Sequence, residues 1–450
     1  MLPEEKVRQI INDVLDKQKS VQYLDDNYHP ADIAEAIDLA DGEDIKLSVF
    51  RALGVDMGSE VLPLLGDEAR ELVLKHTEAE GLGDLIGEMD SDDAADILGD
   101  VTDEKAEDIL DTVPDEVDQE VSMLLEYDEE SAGGIMQIEL VEAHETDTVA
   151  DTTEKLRAKA DDIKDVHNIF VVDENRKLKG VAPLRDLILN PAEKKLGEII
   201  DSQPPIYATV DADQEKVARL FKRYDLVSLP VVDNQMVLKG RIVIDDIVDV
   251  MEEEADEDIM TMAGADDEAL TQTHTIREMV QYRLPWLGAS LIGGFITGAL
   301  IWAFKMAIAE AIALIAFIPV VMGMSGNVGT QSSALVIRGM ATGKIVFASL
   351  WDYIVKEFKI GLSLGIICGV IAGVGAQIWH GSFALGLVVG ISIFASISFA
   401  ALMGALIPFF FRWAKFDPAI AGGPIVLVVS DISGLLIFFL VATLLLGFLK

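Results

Sequence analysis

An aspartate stands within the run IVLVVSDISGLLIFFL, residues 425–440, which holds no other charge. This residue, Asp431, lies seven positions past Pro424, about 10 Å along a helix. A carboxylate at such depth in hydrocarbon costs about 2.5–3.5 kcal/mol and is retained where it faces a cavity or an ion path. With no Lys or Arg in its own segment, it suits a cation. A structural carboxylate bonded to Ser430, Ser433 or a neighbouring helix is the plainer alternative. A second interrupted run is FIPVVMGMSGNVGTQSSALVIRG, residues 317–339, where Gly323, Gly326 and Gly329 punctuate Ser325, Asn327, Thr330 and Gln331. Glycine lets backbones open or approach, and Asn and Gln carbonyls suit Mg2+ or its water shell. Close helix packing by small residues is the competing explanation.

Carboxylates also gather outside the apolar runs. Asp92 and Asp96 are four apart and share a helix face, with Asp93 beside them. Like charges at that spacing cost a helix a few tenths of a kcal/mol. Asp225 is placed to open a strand. Further on come Asp245, Asp246, Asp249, Glu252, Glu253, Glu254, Asp256, Glu257 and Asp258, directly before the first long apolar run. A solvated acidic surface or a salt-adapted protein would explain acidity in general. Neither explains its concentration beside the membrane.

The elements that position these groups are legible in the charge distribution. The 450 residues carry a net charge of −42 with 50% hydrophobic residues. The two facts coexist because they are segregated. Residues 275–450 hold 10 Lys/Arg and 6 Asp/Glu, a net of +4, whereas residues 1–274 hold 25 and 71, a net of −46. Such acidity argues against nucleic-acid binding and for cations or basic partners. The single Cys368 and the six scattered histidines form no zinc-type spacing. No apolar h-region follows the start. Five runs suit spanning helices: 284–304, 309–337, 360–379, 382–411 and 424–448. The second and fourth exceed one span, and Pro319 and Pro408 are expected kinks. Glu310 and Asp352 fall near span ends. A cytoplasmic N-terminal part puts Arg277, Arg283, Arg338, Lys344, Lys356, Lys359, Arg412 and Lys415 inside, against only Lys305 and Lys450 outside. The expected location is the inner (plasma) membrane, with the C-terminus outside.

Residues 149–250 repeat with an offset of 60: Asn168–Asp173 aligns with Ser228–Asp233, Lys179-Gly180 with Lys239-Gly240, and Arg185-Asp186 with Asp245-Asp246. Each copy reads helix, strand, turn, strand, helix. This is the pattern of a tandem CBS pair, an α/β module that senses small ligands. Where many CBS modules carry a ribose-contacting Thr or Ser, this sequence has Pro183 and Val243. Nucleotide binding at the pair is therefore not expected. Residues 1–130 read as short amphipathic helices, with Asp92 and Asp103 expected as caps. The fold class is thus a multidomain α plus α/β membrane protein. The expected divisions are 1–130, an acidic all-α superhelical domain; 131–250, the CBS pair; 251–282, a connecting helix; and 283–450, five spans.

With the domain order, four motifs make the chain resemble the MgtE family of magnesium channels/transporters over essentially its full length. They are His29–Glu35, Tyr127–Met136, Pro319…Gly326-Asn327…Gly329-Thr330-Gln331, and Asp417-Pro418…Gly423-Pro424…Asp431…Gly434. The resemblance implies a homodimer with a pore lined by the second and fifth spans and an ion held at Asp431. It also implies cytosolic Mg2+ at Asp92, Asp96, the backbone near Gly134, Asp225, Asp246, Asp249, Glu254, Glu257 and Asp258. The function expected is Mg2+ import down its electrochemical gradient, closed by cytosolic Mg2+. A secondary transporter of divalent cations coupled to another ion is the alternative. A CBS-regulated anion channel fits poorly, because the pore segments lack basic residues. No catalytic constellation and no GxxxxGK[ST] motif is present, so no enzyme and no ATP hydrolysis are expected.

Overall fold

The computed structural model describes residues 2–16, 19, 21–159, 166–201, 203–265, 276–305, 312–345 and 350–449. It divides into two compact units, residues 1–254 and 255–450.

Among the described residues the first unit begins with ten short helices, including α1 (Glu4–Leu15), α3 (Pro30–Asp38), α8 (Ser91–Gly99) and α9 (Asp103–Leu110). Their apolar faces bury Ile10, Ile33, Ile37, Leu53, Leu62 and Ile86. The caps are Asp90 and Thr102, not Asp92 and Asp103 as the sequence suggested. Those two aspartates occupy the first helical turn, where the helix dipole favours negative charge.

The CBS copies repeat closely. Strands β2 (Asn168–Val172) and β3 (Leu178–Pro183) pair antiparallel from Asn168↔Pro183. Strands β5 (Ser228–Val232) and β6 (Leu238–Val243) pair from Ser228↔Val243, with the same bulge. A parallel strand, β1 (Glu142–His144) or β4 (Ala208–Thr209), completes each three-stranded sheet. The turns match too: Arg176 and Met236 both have positive φ. In each, an aspartate (Asp173 or Asp233) accepts from backbone amides two and four residues on. The repeated glycine has a packing cause in the second copy. The segment before β1 crosses onto β6, where Gln137 N donates to Arg241 O at 2.7 Å and Arg241 N returns to Gln137 O at 2.8 Å. A Cβ on Gly240 would lie 2.6 Å from Gln137 O. One continuous core therefore joins the ten-helix part to the second copy through Met136, Val231, Ile242 and Ile247.

Among the described residues the second unit holds five helices long and apolar enough to cross a membrane. They are Ile276–Ala303, Ile318–Ala341, Leu350–His380, Phe383–Trp413 and Gly423–Leu449, called the first to fifth spans below. Pro319 does not kink the second span. It sits in the first turn after a 3-10 segment, Ile312–Phe317, where its missing N–H costs nothing. Pro408 lies inside the unbroken fourth span. The third span starts ten residues earlier than hydropathy suggested and takes in Lys356, Glu357 and Lys359. Glu310 and part of the expected connecting helix, residues 266–275, lie outside the described residues.

The third and fourth spans approach backbone to backbone. Gly361, Gly365, Gly369 and Gly373 recur every four residues. A Cβ on Gly365 would meet Phe394 O at 2.8 Å, on Gly369 Gly390 O at 2.6 Å, and on Gly373 Gly386 O at 2.7 Å. Without a hydrophobic drive between helices in lipid, such close packing is what holds them. Gly375, by contrast, has nothing within 4 Å of its Cβ position. Gly369→Ala is expected to destabilise the membrane unit by about 1–3 kcal/mol, with Gly375→Ala neutral. Thermal unfolding of the two purified variants in one detergent measures the difference; equal midpoints would contradict this packing.

Candidate functional site

Asp431 is half-buried on the fifth span, facing the second. A Cβ on Gly326 would lie 3.0 Å from Asp431 Oδ1 and 2.6 Å from Leu427 Cδ1, so only glycine allows this approach. Asp431 Oδ1 is buried and has no hydrogen-bond partner among the described residues. The same seam continues on both sides. Gly329 lies against Ser430, and Gly434 against Ser325. Thr330 Oγ1 donates to Gly326 O at 3.0 Å, so that hydroxyl is engaged by its own helix. Asn327 and Gln331 are exposed and, with Gly323, form a stripe at spacing four on the outer face of the second span. Amides on the outside of a membrane helix need water or another chain.

The start of the fifth span receives the end of α14 (Ile244–Ala263). A Cβ on Gly422 would stand 2.9 Å from Met262 Cγ, and one on Gly423 would overlap Met262 O. Gly264 ends the helix at φ +74 and lies against Pro424 and Trp286. The Gly-Gly-Pro sequence is therefore a seat for the last turn of α14.

In the first unit the acidic residues converge. Asp92 is only 6% exposed, and its Oδ1 has no hydrogen-bond partner among the described residues. Burial raises its pKa, helped by Asp93 and opposed by a hydrogen bond from Gln137. Asp246 is raised first by burial and then by Asp92 and Asp245. Asp96 keeps an exposed edge but is pushed up to about 7 by desolvation, with repulsion from Asp92, Asp100 and Glu253 and against Arg70. Glu254 is pushed up to about 7 by burial, against a hydrogen bond from Gln214 Nε2 at 3.0 Å. Protons, or a cation in their place, relieve such a cluster. Among the described residues no three His, Cys, Asp or Glu side chains close around a metal position. The arrangement suits an ion that keeps part of its water.

The other expected positions are more dispersed. Asp249 is exposed, and its pKa is raised by partial desolvation and by Glu252 and Asp245. Glu257 is exposed and Asp258 half-buried on the later turns of α14. Asp225 does not open a strand. It is the exposed left-handed C-cap of α13 (Gln214–Tyr224), at φ 51, and β5 begins three residues later. A short polar side chain tolerates that conformation. Gly134 sits where a Cβ would meet Asp128 O at 2.5 Å and Glu129 O at 2.7 Å, which explains why a glycine stands there. The sequence reading missed Gln137, Gln214 and Glu139. The last accepts from Ser91 Oγ at 2.8 Å and holds the start of α8. Gln137 and Glu139 were signalled only by proximity to the Gly133-Gly134 turn, and Gln214 had no such signal. It also missed Glu357, discussed below.

Comparisons with known proteins cover both units. Residues 318–441 match a family described as MgtE, divalent cation transporter; residues 28–130 match the MgtE intracellular N domain; residues 132–193 and 196–253 match CBS domains. The magnesium transporter MgtE of Bacillus subtilis is 37% identical over 323 residues, covering 72% of this chain and 71% of that protein. The magnesium transporter MgtE of Thermus thermophilus is 38% identical over 329 residues, covering 73% and 72%. Among solved structures, the soluble part of a magnesium transporter aligns with a TM-score of 0.51 at 27% identity, covering 56% of this chain and 99% of that one. The cytosolic domain of the Mg2+ channel MgtE in complex with ATP aligns at 0.50 and 32% identity, covering 54% and 99%. With relatives above 30% identity spanning more than two thirds of both chains, this protein belongs to the MgtE family of divalent cation transporters.

Proposed function

We propose that this protein conducts Mg2+ into the cell through a pore lined by the second and fifth spans of two copies, and that cytosolic Mg2+ closes it. The observation that carries this reading is Asp431, a carboxylate inside a span with one oxygen unpaired. Two relatives bear the name magnesium transporter. A second copy related by a two-fold axis would bring two Asp431 side chains to one axis and cover the stripe of Asn327 and Gln331. Mg2+ dehydrates reluctantly and prefers six oxygens at about 2.0–2.1 Å. Two carboxylates with amide oxygens nearby therefore suit a largely hydrated ion and repel anions. The basic residues at the inner ends orient the first unit toward the cytoplasm. An inside-negative potential then drives entry by about 2.3 kcal/mol per charge per 100 mV.

Closure follows from the cytosolic acids. Without Mg2+ the faces carrying Asp92, Asp96 and Asp246 repel. Mg2+ screens and bridges them, α14 settles on its glycine seat, and the inner mouth is blocked. Moving such a gate from 1:99 to 99:1 takes about 5.5 kcal/mol of differential binding. Four sites each preferring the closed form tenfold supply about that. A nucleotide at the CBS pair is a second ligand, favoured by one observation: a relative's cytosolic domain was solved with ATP. The missing hydroxyls at Pro183 and Val243 argued otherwise. Asp246 is committed to the acidic cluster, which leaves Asp186 as the carboxylate available to a ribose.

Three outcomes are expected. In oriented proteoliposomes, potential-driven Mg2+ influx falls as internal Mg2+ rises, and Asp431→Ala loses at least about tenfold, in keeping with the cost of placing the charge there; normal conduction by the variant would sink the pore assignment. The second concerns pH. The raised carboxylates favour their protonated forms in the folded unit, so their stabilisation is complete below the ordinary carboxylate range and is lost as pH rises through about 7. In chelator the first thermal transition of the full chain should therefore be lower at pH 8 than at pH 5.5, and Mg2+ should raise it more at pH 8. A larger gain at pH 5.5 would contradict the exchange of Mg2+ for protons. The third concerns the seat. Gly423→Ala should keep influx at low internal Mg2+ but need about tenfold more internal Mg2+ to close; an unchanged closing curve would remove the seat from the gate.

A further inference from the structure

A second carboxylate lies inside the membrane unit and the ion path does not use it. Glu357 is the eighth residue of the third span, about 10 Å from its start, and is only 3% exposed. Ile354 and Gly361, on the same face, are also buried. Gly361 packs on Ala401 and Ser398 of the fourth span. Lys356 and Lys359 are exposed, so the acidic residue between them is turned inward. No Lys, Arg or His among the described residues pairs with it. Its partners are two hydroxyls. Ser332 Oγ of the second span donates to Glu357 Oε2 at 3.1 Å, and the Tyr353 hydroxyl also bonds the carboxyl.

Ser332 is the informative partner. Two other hydroxyls of the second span spend their bonds on their own helix: Ser325 on Val321 O and Thr330 on Gly326 O. Ser332 instead reaches another helix. It is buried, while Gln331, one residue before it, is exposed on the stripe with Asn327. Successive helical residues point about 100° apart. A bond that fixes the direction of Ser332 thus fixes the direction of Gln331 and Asn327. The rest of this buried face is apolar or small, with Val321, Gly326, Val328, Gly329 and Val336, and Ser333 Oγ and, on the fifth span, Ser430 Oγ have no partner among the described residues. Small-residue seams resist rotation weakly, whereas a buried ionisable side chain in a span is costly to keep.

We propose that Glu357 is a positioning residue for ion permeation, which through Ser332 sets the rotation of the second span and so the direction in which Asn327 and Gln331 face. The proposal rests on the second span lining the pore. Its test uses the full-length protein in proteoliposomes, with Ser332→Ala, Glu357→Leu, Glu357→Gln and the double variant Ser332→Ala/Glu357→Leu. Two readouts run in parallel. One is Mg2+ influx. The other is the labelling rate of Asn327→Cys, in a Cys368→Ser background, by a charged membrane-impermeant thiol reagent. Interhelical hydrogen bonds in membranes correspond to factors of about three to twentyfold. Influx and labelling should fall by factors in that range in Ser332→Ala and Glu357→Leu, no further in the double variant, and recover largely in Glu357→Gln, whose amide oxygen still accepts. Ser332→Ala removes one atom and keeps the fold, which its unfolding midpoint verifies. Unchanged labelling in folded Ser332→Ala and Glu357→Leu overturns the proposal. So does a Glu357→Gln as impaired as Glu357→Leu, because charge would then be the active property. Asp431→Ala in the same vesicles separates the two ideas: normal influx there refutes the pore reading, while the labelling rates still judge Glu357.

Discussion

A carboxylate taken out of water must be neutralised by a proton, a hydrogen bond or a cation, and each principal group of this protein is a different answer to that demand. Asp96 and Asp246 both lie under the repulsion of Asp92, offset at Asp96 by Arg70, so their charged forms are conditional. Asp431 keeps one oxygen unpaired inside the bilayer segment. Glu357 is satisfied by two hydroxyls and stays put. The conditional groups can respond to an ion. The satisfied one can hold a helix in place.

Glycine supplies the second constraint, because these groups reach their positions only where backbones come close. Gly326 gives Asp431 its room beside the second span, and Gly240 lets the segment before β1 cross onto β6. The crossing matters for the acidic cluster. It carries Gln137 to Asp92 and ties the ten-helix part to the CBS copy that supplies Asp246. In the membrane unit the ladder of Gly361, Gly365, Gly369 and Gly373 does equivalent work, fixing the third span against the fourth and so presenting Glu357 to Ser332.

Much of this could be read from the chain, and the exceptions have physical causes. Asp431 was legible because one charge in a long apolar run has few explanations. The CBS pair was legible because a 60-residue repeat carries its own register. Asp225 misled because its spacing before the strand is the same whether it begins a strand or ends a helix; only its positive φ decides. Glu357 was invisible because Lys356 and Lys359 flank it, and a hydropathy average ends the span at Ile360. Averages ignore direction, and direction separates the buried Glu357 from its exposed neighbours. The approach of Asp246 to Asp92 and Asp96 needed the fold, since Asp246 lies 150 residues beyond Asp96.

The looseness of the acidic cluster follows from what a sensor requires. A closed cage of carboxylates would hold Mg2+ tightly, remain filled at every cytosolic concentration and report nothing. Among the described residues no such cage exists. What exists is a set of crowded acids, of which Asp92 is the fully buried one; on the proposed reading such a set would bind an ion only when two faces are together, each acid adding a small preference for the closed form. Several small preferences multiply into a steep response, and each remains reversible because the ion keeps its water. The same reasoning explains why the seat at Gly422 and Gly423 has no side chains. A seat that bonded Met262 strongly would keep α14 docked without the ion. One that merely fits it lets the acids decide.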